Sequence, residues 1–111
     1  MTNANASIRP KTFEVGEICF CDAGCTIKFP KFYKVTRLSK SSIWLQRIES
    51  HLIEHDGYGQ RGREIPVDQP NGSVFRKVRK SFEDGREYVS DRNGYIIEPW
   101  DGLAKIFDIC D

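Results

Sequence analysis

Residues 32–48 read FYKVTRLSKSSIWLQRI, a pattern that predicts a β-hairpin. Both arms are rich in β-branched and aromatic residues, which suit a pleated surface. The polar break Ser39-Lys40-Ser41 between them fits a turn of three to five residues. We therefore expect two antiparallel strands joined by a short turn.

Alternation along the two arms assigns side chains to faces, because successive residues of a strand point to opposite sides. The predicted sets are Tyr33, Val35 and Arg37 against Phe32, Lys34, Thr36 and Leu38 in the first arm, and Ile43, Leu45 and Arg47 against Ser42, Trp44, Gln46 and Ile48 in the second. The face that holds Val35, Ile43 and Leu45 is the more apolar and is expected to be core.

Short apolar segments separated by turn residues continue on both sides of the hairpin. The pattern predicts strands at 13–20, 73–82, 86–90 and 103–109, an edge segment at 65–67, and turns at 70–72, 83–85, 91–94 and 99–102. No segment has helical periodicity. We therefore predict an all-β fold, a small antiparallel SH3-like barrel or roll of about five to six strands.

The length and composition indicate a single domain. The chain has 111 residues, of which 39% are hydrophobic and 12% aromatic, enough for one core. We expect residues 1–11 to form a flexible N-terminal arm and residues 12–111 a single β-barrel domain, with a flexible glycine-rich excursion at 54–63. The absence of a long apolar run or a signal-like start favours a cytoplasmic protein without a membrane partner.

Positive charge is concentrated in the hairpin although the net charge is only +1. Residues 28–47 hold Lys28, Lys31, Lys34, Arg37, Lys40 and Arg47 but no Asp or Glu, whereas the C-terminal stretch is acidic. Basic side chains interleaved with aromatics suit phosphate contact and base stacking. One open interpretation is therefore direct nucleic-acid binding through Lys34, Arg37, Lys40, Arg47, Arg76 and Lys77.

Cysteine and histidine provide the candidates for metal and nucleophile chemistry. Crowding of cysteines near the first strand favours reduced thiols over disulfides. Cys19, Cys21 and Cys25, completed by Cys110 or a histidine, could form a tetrahedral zinc site, although the spacing is irregular and buried thiols are the simpler interpretation. We expect no cofactor.

Residues 51–55 match the pattern H-x-x-E-H, in which two histidines on one helical face hold zinc beside a glutamate base. The pattern follows a predicted strand and precedes a glycine-rich stretch, so exposed loop histidines are the better interpretation. A nucleophilic pair of Cys25 with His51 or His55 is likewise not required by any spacing. We therefore predict a protein that is not an enzyme.

Several short motifs follow one another along nearly the whole chain after Lys11. They are Gly16-Glu17-Ile18, Phe32-Tyr33-Lys34-Val35, Ser42-Ile43-Trp44-Leu45, Val67, Arg76-Lys77-Val78, Gly85, Tyr88-Val89 and Trp100-Asp101-Gly102. In these motifs the chain resembles small uncharacterised β-rich proteins carried by phages and other mobile elements. The resemblance implies an SH3-like barrel of mobile-element origin, and an obvious use for such a protein is inhibition of a host defence system, as by an anti-CRISPR protein.

The leading functional prediction is accordingly a non-enzymatic phage or mobile-element protein that binds a host protein or its ribonucleoprotein complex in the cytoplasm of a bacterial host cell. Loops and tails with aromatic, Arg and acidic residues are typical of such interfaces. The candidate partner-binding residues are Tyr58, Arg61, Arg63, Asp101 and Asp108. The oligomeric state is left open.

Overall fold

The computed structural model describes residues 12–23, 29–55 and 61–108, and these residues form strands and turns without a helix. The predicted all-β antiparallel class is confirmed. The strands are β1 (Ile18–Ala23), β2 (Phe29–Leu38), β3 (Ser42–His55), β4 (Arg61–Val78), β5 (Lys80–Ser81), β6 (Glu87–Ser90), β7 (Ile96–Pro99) and β8 (Lys105–Asp108). They form one sheet in the order β5-β6-β7-β1-β2-β3-β4-β8. The predicted N-terminal arm, residues 1–11, lies outside the described residues.

The predicted hairpin is formed by β2 and β3. In its turn, the backbone N–H of Ser39 donates to the Ser42 carbonyl at 2.9 Å, and the Ser42 N–H donates to Ser39 Oγ at 3.1 Å. Val35 then pairs with Leu45, and both are fully buried. The apolar face identified in the sequence is therefore the core face.

A β-bulge at Thr36 corrects the predicted faces beyond Val35. Val35 pairs with Leu45, but Arg37 pairs with Trp44, so β2 contains one extra residue at this point. A bulge shifts the alternation by one residue. Arg37 consequently lies on the Trp44 face, with its guanidinium carbon 4.4 Å from the ring centroid, while Leu38 packs against the core.

The start of the first strand is also corrected. The strand begins at Ile18 rather than residue 13, because Val15 and Gly16 form a turn in which Gly16 has a φ of 87°. A positive φ is strained for residues other than glycine, which explains the break. At its other end, β1 extends past residue 20 to Ala23.

β4 is longer and more continuous than the sequence predicts. Residues 65–67, 70–72 and 73–78 belong to one strand, and of the expected 54–63 excursion only 56–60 lie outside the described residues. The predicted turn at 70–72 is instead part of a bulge, since Gln46 pairs with Val74 but Ile48 pairs with Pro70. Gly72 permits this bulge with a φ of 145°.

Arg79 alone separates β4 from β5, yet these strands lie near opposite ends of the sheet order. The sheet must therefore bend round on itself. The break at Arg79 divides the predicted strand 73–82 into β4 and β5, and β7 is a further separate strand. The described residues therefore form eight strands, more than the predicted five to six. Among the described residues no hydrogen-bonded ladder closes the sheet, so the SH3-like barrel is not confirmed.

An ion pair joins the two sides of this bend, and we call it the seam. Arg79 donates from Nε to Glu87 Oε2 at 3.0 Å and from Nη2 to Oε1 at 2.8 Å. Its Nη1 donates to the Ser39 carbonyl at 2.7 Å, and its backbone N–H donates to the Ser41 carbonyl at 2.9 Å. Glu87 Oε1 also accepts the Phe13 N–H at 2.9 Å. Thus the seam fastens the hairpin turn, β6 and the start of the described chain.

The two faces of the central strands are covered by separate apolar clusters. The inner core consists of Phe13, Cys19, Cys21, Tyr33, Val35, Ile43, Leu45, Val89 and Ile97. On the outer face, Phe32 and Ile48 are buried, and the Phe32 ring lies 5.8 Å from that of Phe20 and 6.0 Å from that of Trp100. Burial on both faces makes the centre of β2 the most enclosed part of the sheet.

Candidate functional site

A cleft of about 360 Å³ borders the inner core, and we call it the basic cleft. It is lined by residues of β2, of β4 and of the turn between β6 and β7. These residues are Lys31, Tyr33, Phe75, Arg76, Lys77, Asp91, Arg92 and Asn93. Four of them are positively charged and one is negatively charged, so the cleft favours anions.

Strand pairing places the β4 wall of the cleft. Phe75 pairs with Leu45 and Lys77 with Ile43, which puts both on the inner face. The Phe75 ring meets that of Tyr33 edge to face, with centroids 5.7 Å apart. Burial, together with the nearby Cys21 and Asp91, raises the pKa of Tyr33 despite the opposing charge of Arg47. The phenol is therefore protonated and able to donate a hydrogen bond at neutral pH.

The turn at 91–94 forms the opposite wall and matches its prediction. Its backbone closes through the Asp91 N–H, which donates to the Tyr95 carbonyl at 2.9 Å. Asp91 Oδ1 accepts the Asn93 N–H at 2.8 Å and the Tyr95 N–H at 2.9 Å. The carboxylate of Asp91 thus orders the turn and presents Arg92 and Asn93 to the cleft.

Arg47 lies beside the cleft on β3, where it pairs with Tyr33. Its Nε is buried and has no hydrogen-bond partner among the described residues. Its charge lowers the pKa of both Tyr33 and Cys21, whereas Asp91 raises both. A Cβ at Gly72 would lie 3.6 Å from Arg47 Cβ, so the β4 bulge packs directly on this arginine.

The outer face holds a second set of cations whose charges are already engaged. Lys34 Nζ donates to both carboxylate oxygens of Asp68, at 2.9 and 3.1 Å. Arg37 lies over Trp44, which is half-buried. These cations have partners within the protein and are less available to a ligand.

The structure therefore divides the predicted nucleic-acid-binding residues. Lys77 and Arg76 line the cleft and Arg47 adjoins it, although Arg76 Nη1 also donates to Ser42 Oγ at 3.3 Å. Lys34 and Arg37 are on the outer face, and Lys40 is exposed in the hairpin turn. Sequence reasoning did not select the lining residues Phe75 and Arg92. For Arg92 the available signal was its place in a strong turn, but which strand the turn would face depends on the sheet order.

The predicted partner-binding residues surround a different end of the sheet. Arg61 and Asp108 pair through their backbones, and Arg63 is exposed opposite Ile106. Asp101 is exposed and accepts from Lys105 Nζ and the Leu103 N–H, at 2.8 and 2.9 Å. The structure therefore brings Arg61 together with Asp108. Tyr58 lies outside the described residues.

A second depression of about 430 Å³, the apolar groove, adjoins Asp101. Its lining residues are Phe20, Asp22, Leu103, Ala104, Lys105 and Ile106. Leu103 is 65% exposed and Ile106 is 61% exposed. Lys105 Nζ lies 4.6 Å from the Phe20 ring centroid, so the floor of this groove is held by a cation–π contact.

The cysteines near the first strand are buried thiols. Cys19 and Cys21 belong to the inner core and are unpaired. Burial, with a smaller effect of Asp91, raises the pKa of Cys21 to about 11, and burial also raises the pKa of Cys19. Cys25 and Cys110 lie outside the described residues, and within the described ranges no three His, Cys, Asp or Glu residues form a metal-binding group.

The helix required by the H-x-x-E-H pattern is not formed. Residues 51–55 are the end of β3, where Leu52 pairs with Glu64 and His55 with Gly62. Hydrogen bonding to β4 stabilises the extended backbone here, so the two histidines are not one helical turn apart. In the described part of the chain no helix has the length and apolarity needed to cross a membrane.

No family model, curated protein or solved structure matches this chain. The resemblance to phage and mobile-element proteins therefore stays a prediction. Two depressions formed by described residues bear on function, the basic cleft and the apolar groove.

Proposed function

We propose that the chain is a non-catalytic binding protein whose basic cleft holds a nucleic-acid strand. The observation that carries this proposal is the convergence of Lys31, Lys77 and Arg92 around Tyr33 and Phe75. Cations supply contacts to phosphate, and aromatic rings supply surfaces for bases and sugars. The proposal keeps the nucleic-acid interpretation of the sequence but narrows its site from the basic hairpin and the pair Arg76 and Lys77 to the cleft.

The availability of the cleft cations supports this choice. Lys31, Lys77 and Arg92 form no ion pair with any described residue, in contrast to Lys34. A phosphate that binds there need not displace a carboxylate first. The small net charge of +1 is compatible with binding, because the local potential of a cleft depends on its own lining.

Two matched double variants test the proposal. Lys77→Glu with Arg92→Glu alters the cleft, and Lys34→Glu with Arg37→Glu alters the outer face by the same net charge. Fluorescence anisotropy with a labelled single-stranded oligonucleotide, at about 50 mM and about 200 mM salt, measures affinity. We expect the cleft variant to lose about tenfold or more in affinity and the outer-face variant to lose about twofold at most.

Equal losses in the two variants would remove the cleft as the site. No affinity of the unmodified protein at the lower salt concentration would remove nucleic-acid binding altogether. Circular dichroism of each variant shows whether its fold is retained. We expect retention, because Arg37 and Arg92 are exposed and Lys34 and Lys77 are only partly buried.

A second candidate, binding of a host protein, is favoured by the apolar groove. Leu103 and Ile106 expose apolar surface next to Asp101 and Lys105, an arrangement of apolar centre and polar rim that is typical of protein interfaces. Inhibition of a host defence system by a phage or mobile-element protein would operate through such a surface. This second candidate function is supported by the motif resemblance and not by any matched relative.

Affinity capture separates these candidates. Tagged protein is recovered from bacterial lysate with and without nuclease, beside a Leu103→Asp, Ile106→Asp double variant. Partners that survive nuclease and are lost from the double variant support the groove. Partners lost with nuclease and retained by the double variant support the cleft.

The SH3-like barrel is likewise a proposal. The single-residue link at Arg79 between strands at distant places in the sheet order supports a strongly bent roll of this type. A solved experimental structure with hydrogen bonds between the β4 and β6 sides of the bend would establish a closed barrel.

A further inference from the structure

We propose that the basic cleft accepts an extended acidic peptide of a partner protein, which pairs as an added antiparallel strand with the open edge of β4. The open edge is the side of residues 74–78 that faces away from β3. The proposal goes beyond nucleic-acid binding, because it assigns a protein ligand to backbone groups that a nucleic-acid strand does not need.

The direction of the β4 backbone groups follows from one hydrogen bond and the strand register. In an antiparallel strand, the N–H and C=O of alternate residues point to opposite edges. The Arg79 N–H donates at 2.9 Å to the Ser41 carbonyl, just before β3, and Lys77 pairs with β3 in the same register. The odd-numbered residues of 75–79 therefore face β3. The even-numbered residues of 74–78 present their N–H and C=O at the open edge.

No described strand covers this open edge. β8 pairs with β4 only at residues 61–64, and β6 pairs only with β5, at Lys80 and Ser81. The bulge at Gly72 interrupts the earlier part of β4. Residues 74–78 are thus the part of the edge that has a regular register and that an added strand can pair with.

The cleft lies where β6 diverges from β4. β6 pairs Tyr88 with Lys80, and a continuation in that register would set Arg92 opposite Arg76. This pair does not form, and both arginines line the cleft instead. Like charges directly opposite one another destabilise a ladder, which gives a physical reason for the divergence. The cleft is therefore a place beside β4 where a neighbouring strand is missing.

The placement of Arg76 shows that the cleft reaches the open edge. Its side chain belongs to the outer face, since Arg76 pairs with Trp44 and its Nη1 donates to Ser42 Oγ at 3.3 Å. It nevertheless lines the cleft beside the inner-face residues Phe75 and Lys77. A residue of the outer face borders an inner-face cleft at the strand edge, and this edge carries the Arg76 N–H and C=O.

The side chains beside the edge select an acidic peptide with alternating character. Toward the cleft, Lys77 and Arg92 form no ion pair with a described residue, and the one acidic lining residue, Asp91, accepts two backbone N–H groups at Oδ1. On the outer face, Val74 and Val78 are 48% and 56% exposed. A strand with acidic residues on its inner face and apolar residues on its outer face complements both sets.

A peptide of another protein matches the open edge better than the alternative occupants. Each even-numbered edge residue offers one donor and one acceptor, and an antiparallel residue opposite it supplies the complementary pair. Phosphate oxygens accept from the N–H groups but cannot donate to the carbonyls. A second copy of this chain would bring Arg76 and Lys77 against the same cations.

Peptide binding measured by fluorescence anisotropy tests the proposal. The probe is a short labelled peptide in which glutamate and valine alternate, so that its valines lie opposite residues 74, 76 and 78. N-methylation of the valines removes the N–H groups that face β4, whereas N-methylation of the glutamates removes those that face away. We expect the unmodified peptide to bind, the valine-methylated form to lose about tenfold or more in affinity, and the glutamate-methylated form about threefold at most.

Arg76→Pro and Arg76→Thr form a matched pair of protein variants. Both remove the arginine side chain, but only proline also removes the outward N–H, and neither removes a donor to β3. Arg76→Pro should bind the alternating peptide about tenfold more weakly than Arg76→Thr. Equal affinities of the two folded variants overturn the proposal. If the proline variant unfolds, the methylated peptides decide.

Three further results would overturn the added strand. They are no binding of the alternating peptide, equal losses from the two methylated forms, and a dimer in size-exclusion chromatography whose formation blocks the peptide. None of them removes nucleic-acid binding, which is measured with the oligonucleotide and the variants at Lys77 and Arg92. Likewise, a protein that binds the peptide but not the oligonucleotide keeps the added strand and loses the nucleic-acid proposal.

Discussion

On the outer face of the β2–β3–β4 sheet Lys34 is paired with Asp68, while on the inner face Lys77 lines an open cleft and pairs with no described carboxylate. Both residues come from basic runs that look alike in the sequence. They differ in the residue that lies near them. β4 places the carboxylate of Asp68 beside Lys34, whereas the turn at 91–94 places a second cation, Arg92, in the cleft that Lys77 lines. A charge run thus acquires its role from the element packed across from it.

A similar contrast holds between two ion pairs, Arg79–Glu87 at the seam and Lys34–Asp68 on the outer face. Arg79 and Glu87 are mostly buried at the seam, with side-chain exposures of 22% and 14%, whereas those of Lys34 and Asp68 are 36% and 59%. Solvent screens the second pair much more than the first. Similar distances, 2.8 and 2.9 Å, therefore correspond to different contributions to the free energy of unfolding.

The largest expected effect tests the inner face itself. Leu45→Ala should lower the free energy of unfolding by about 2–5 kcal/mol, because it removes a fully buried side chain and leaves a cavity. Leu103→Ala, the matched change at a residue 65% exposed, should cost less than about 0.5 kcal/mol. Urea denaturation measures both, and similar costs would contradict the assignment of the core to this face.

The next effect tests the seam. Arg79→Met should cost about 1–3 kcal/mol, below the range for a fully buried pair because some solvent reaches the seam. The change leaves Glu87 with only the Phe13 N–H as a donor and frees the Ser39 carbonyl. Denaturation at neutral pH gives the value. A cost of a few tenths of a kcal/mol would show that the bend does not depend on this pair.

The pH dependence of the seam gives a related prediction. Burial raises the pKa of Glu87, but the hydrogen bonds and charge of Arg79 and the Phe13 N–H outweigh it and lower the pKa below the ordinary value of 4.5. A lowered folded-state pKa contributes stability that is present above about pH 4.5 and is lost as the pH falls. Glu87→Gln should therefore destabilise the protein at pH 7 and have a shrinking effect toward about pH 3. A difference that does not change with pH would contradict the ionised pair.

A smaller effect concerns the salt dependence of binding. Lys77→Gln should reduce the slope of log affinity against log salt by about 1, since one phosphate contact is lost. Lys34→Gln should leave the slope unchanged because Lys34 is already paired with Asp68. A titration of anisotropy against salt measures both slopes, and the opposite ranking would place the ligand on the outer face.

The smallest effect is expected for the exposed pair. Lys34→Met should change the free energy of unfolding by about 0–1 kcal/mol. Denaturation alongside Arg79→Met makes the comparison direct. A cost equal to that of Arg79→Met would mean that exposure does not distinguish the two pairs.

Local patterns predicted the parts of this fold that depend on neighbouring residues. The hairpin turn at 39–41, the turn at 83–85 and the apolar set of Val35, Ile43 and Leu45 follow from composition and alternation. The bulge at Thr36 was not predictable from alternation, because one extra residue leaves no mark in the sequence. It reverses the faces of Arg37 and Leu38.

The candidate site was predictable only in part. Arg47, Arg76 and Lys77 were selected for their charge, but their separation from Lys34 and Arg37 depends on strand pairing. Arg92 joins them through the sheet order, and Phe75 becomes a cleft wall because β4 pairs it with Leu45 on the inner face. Contacts of this kind arise between segments far apart in the chain, where local propensity carries no information.

Both walls of the basic cleft belong to one segment, residues 75–93, while Lys31 and Tyr33 of β2 complete its lining. Arg79 and Glu87 lie within the same segment, and the other acceptors of Arg79 are backbone carbonyls that any sequence provides. The segment therefore carries its own fastening. Substitutions at the lining residues 75–77 and 91–93 leave both partners of the seam ion pair in place.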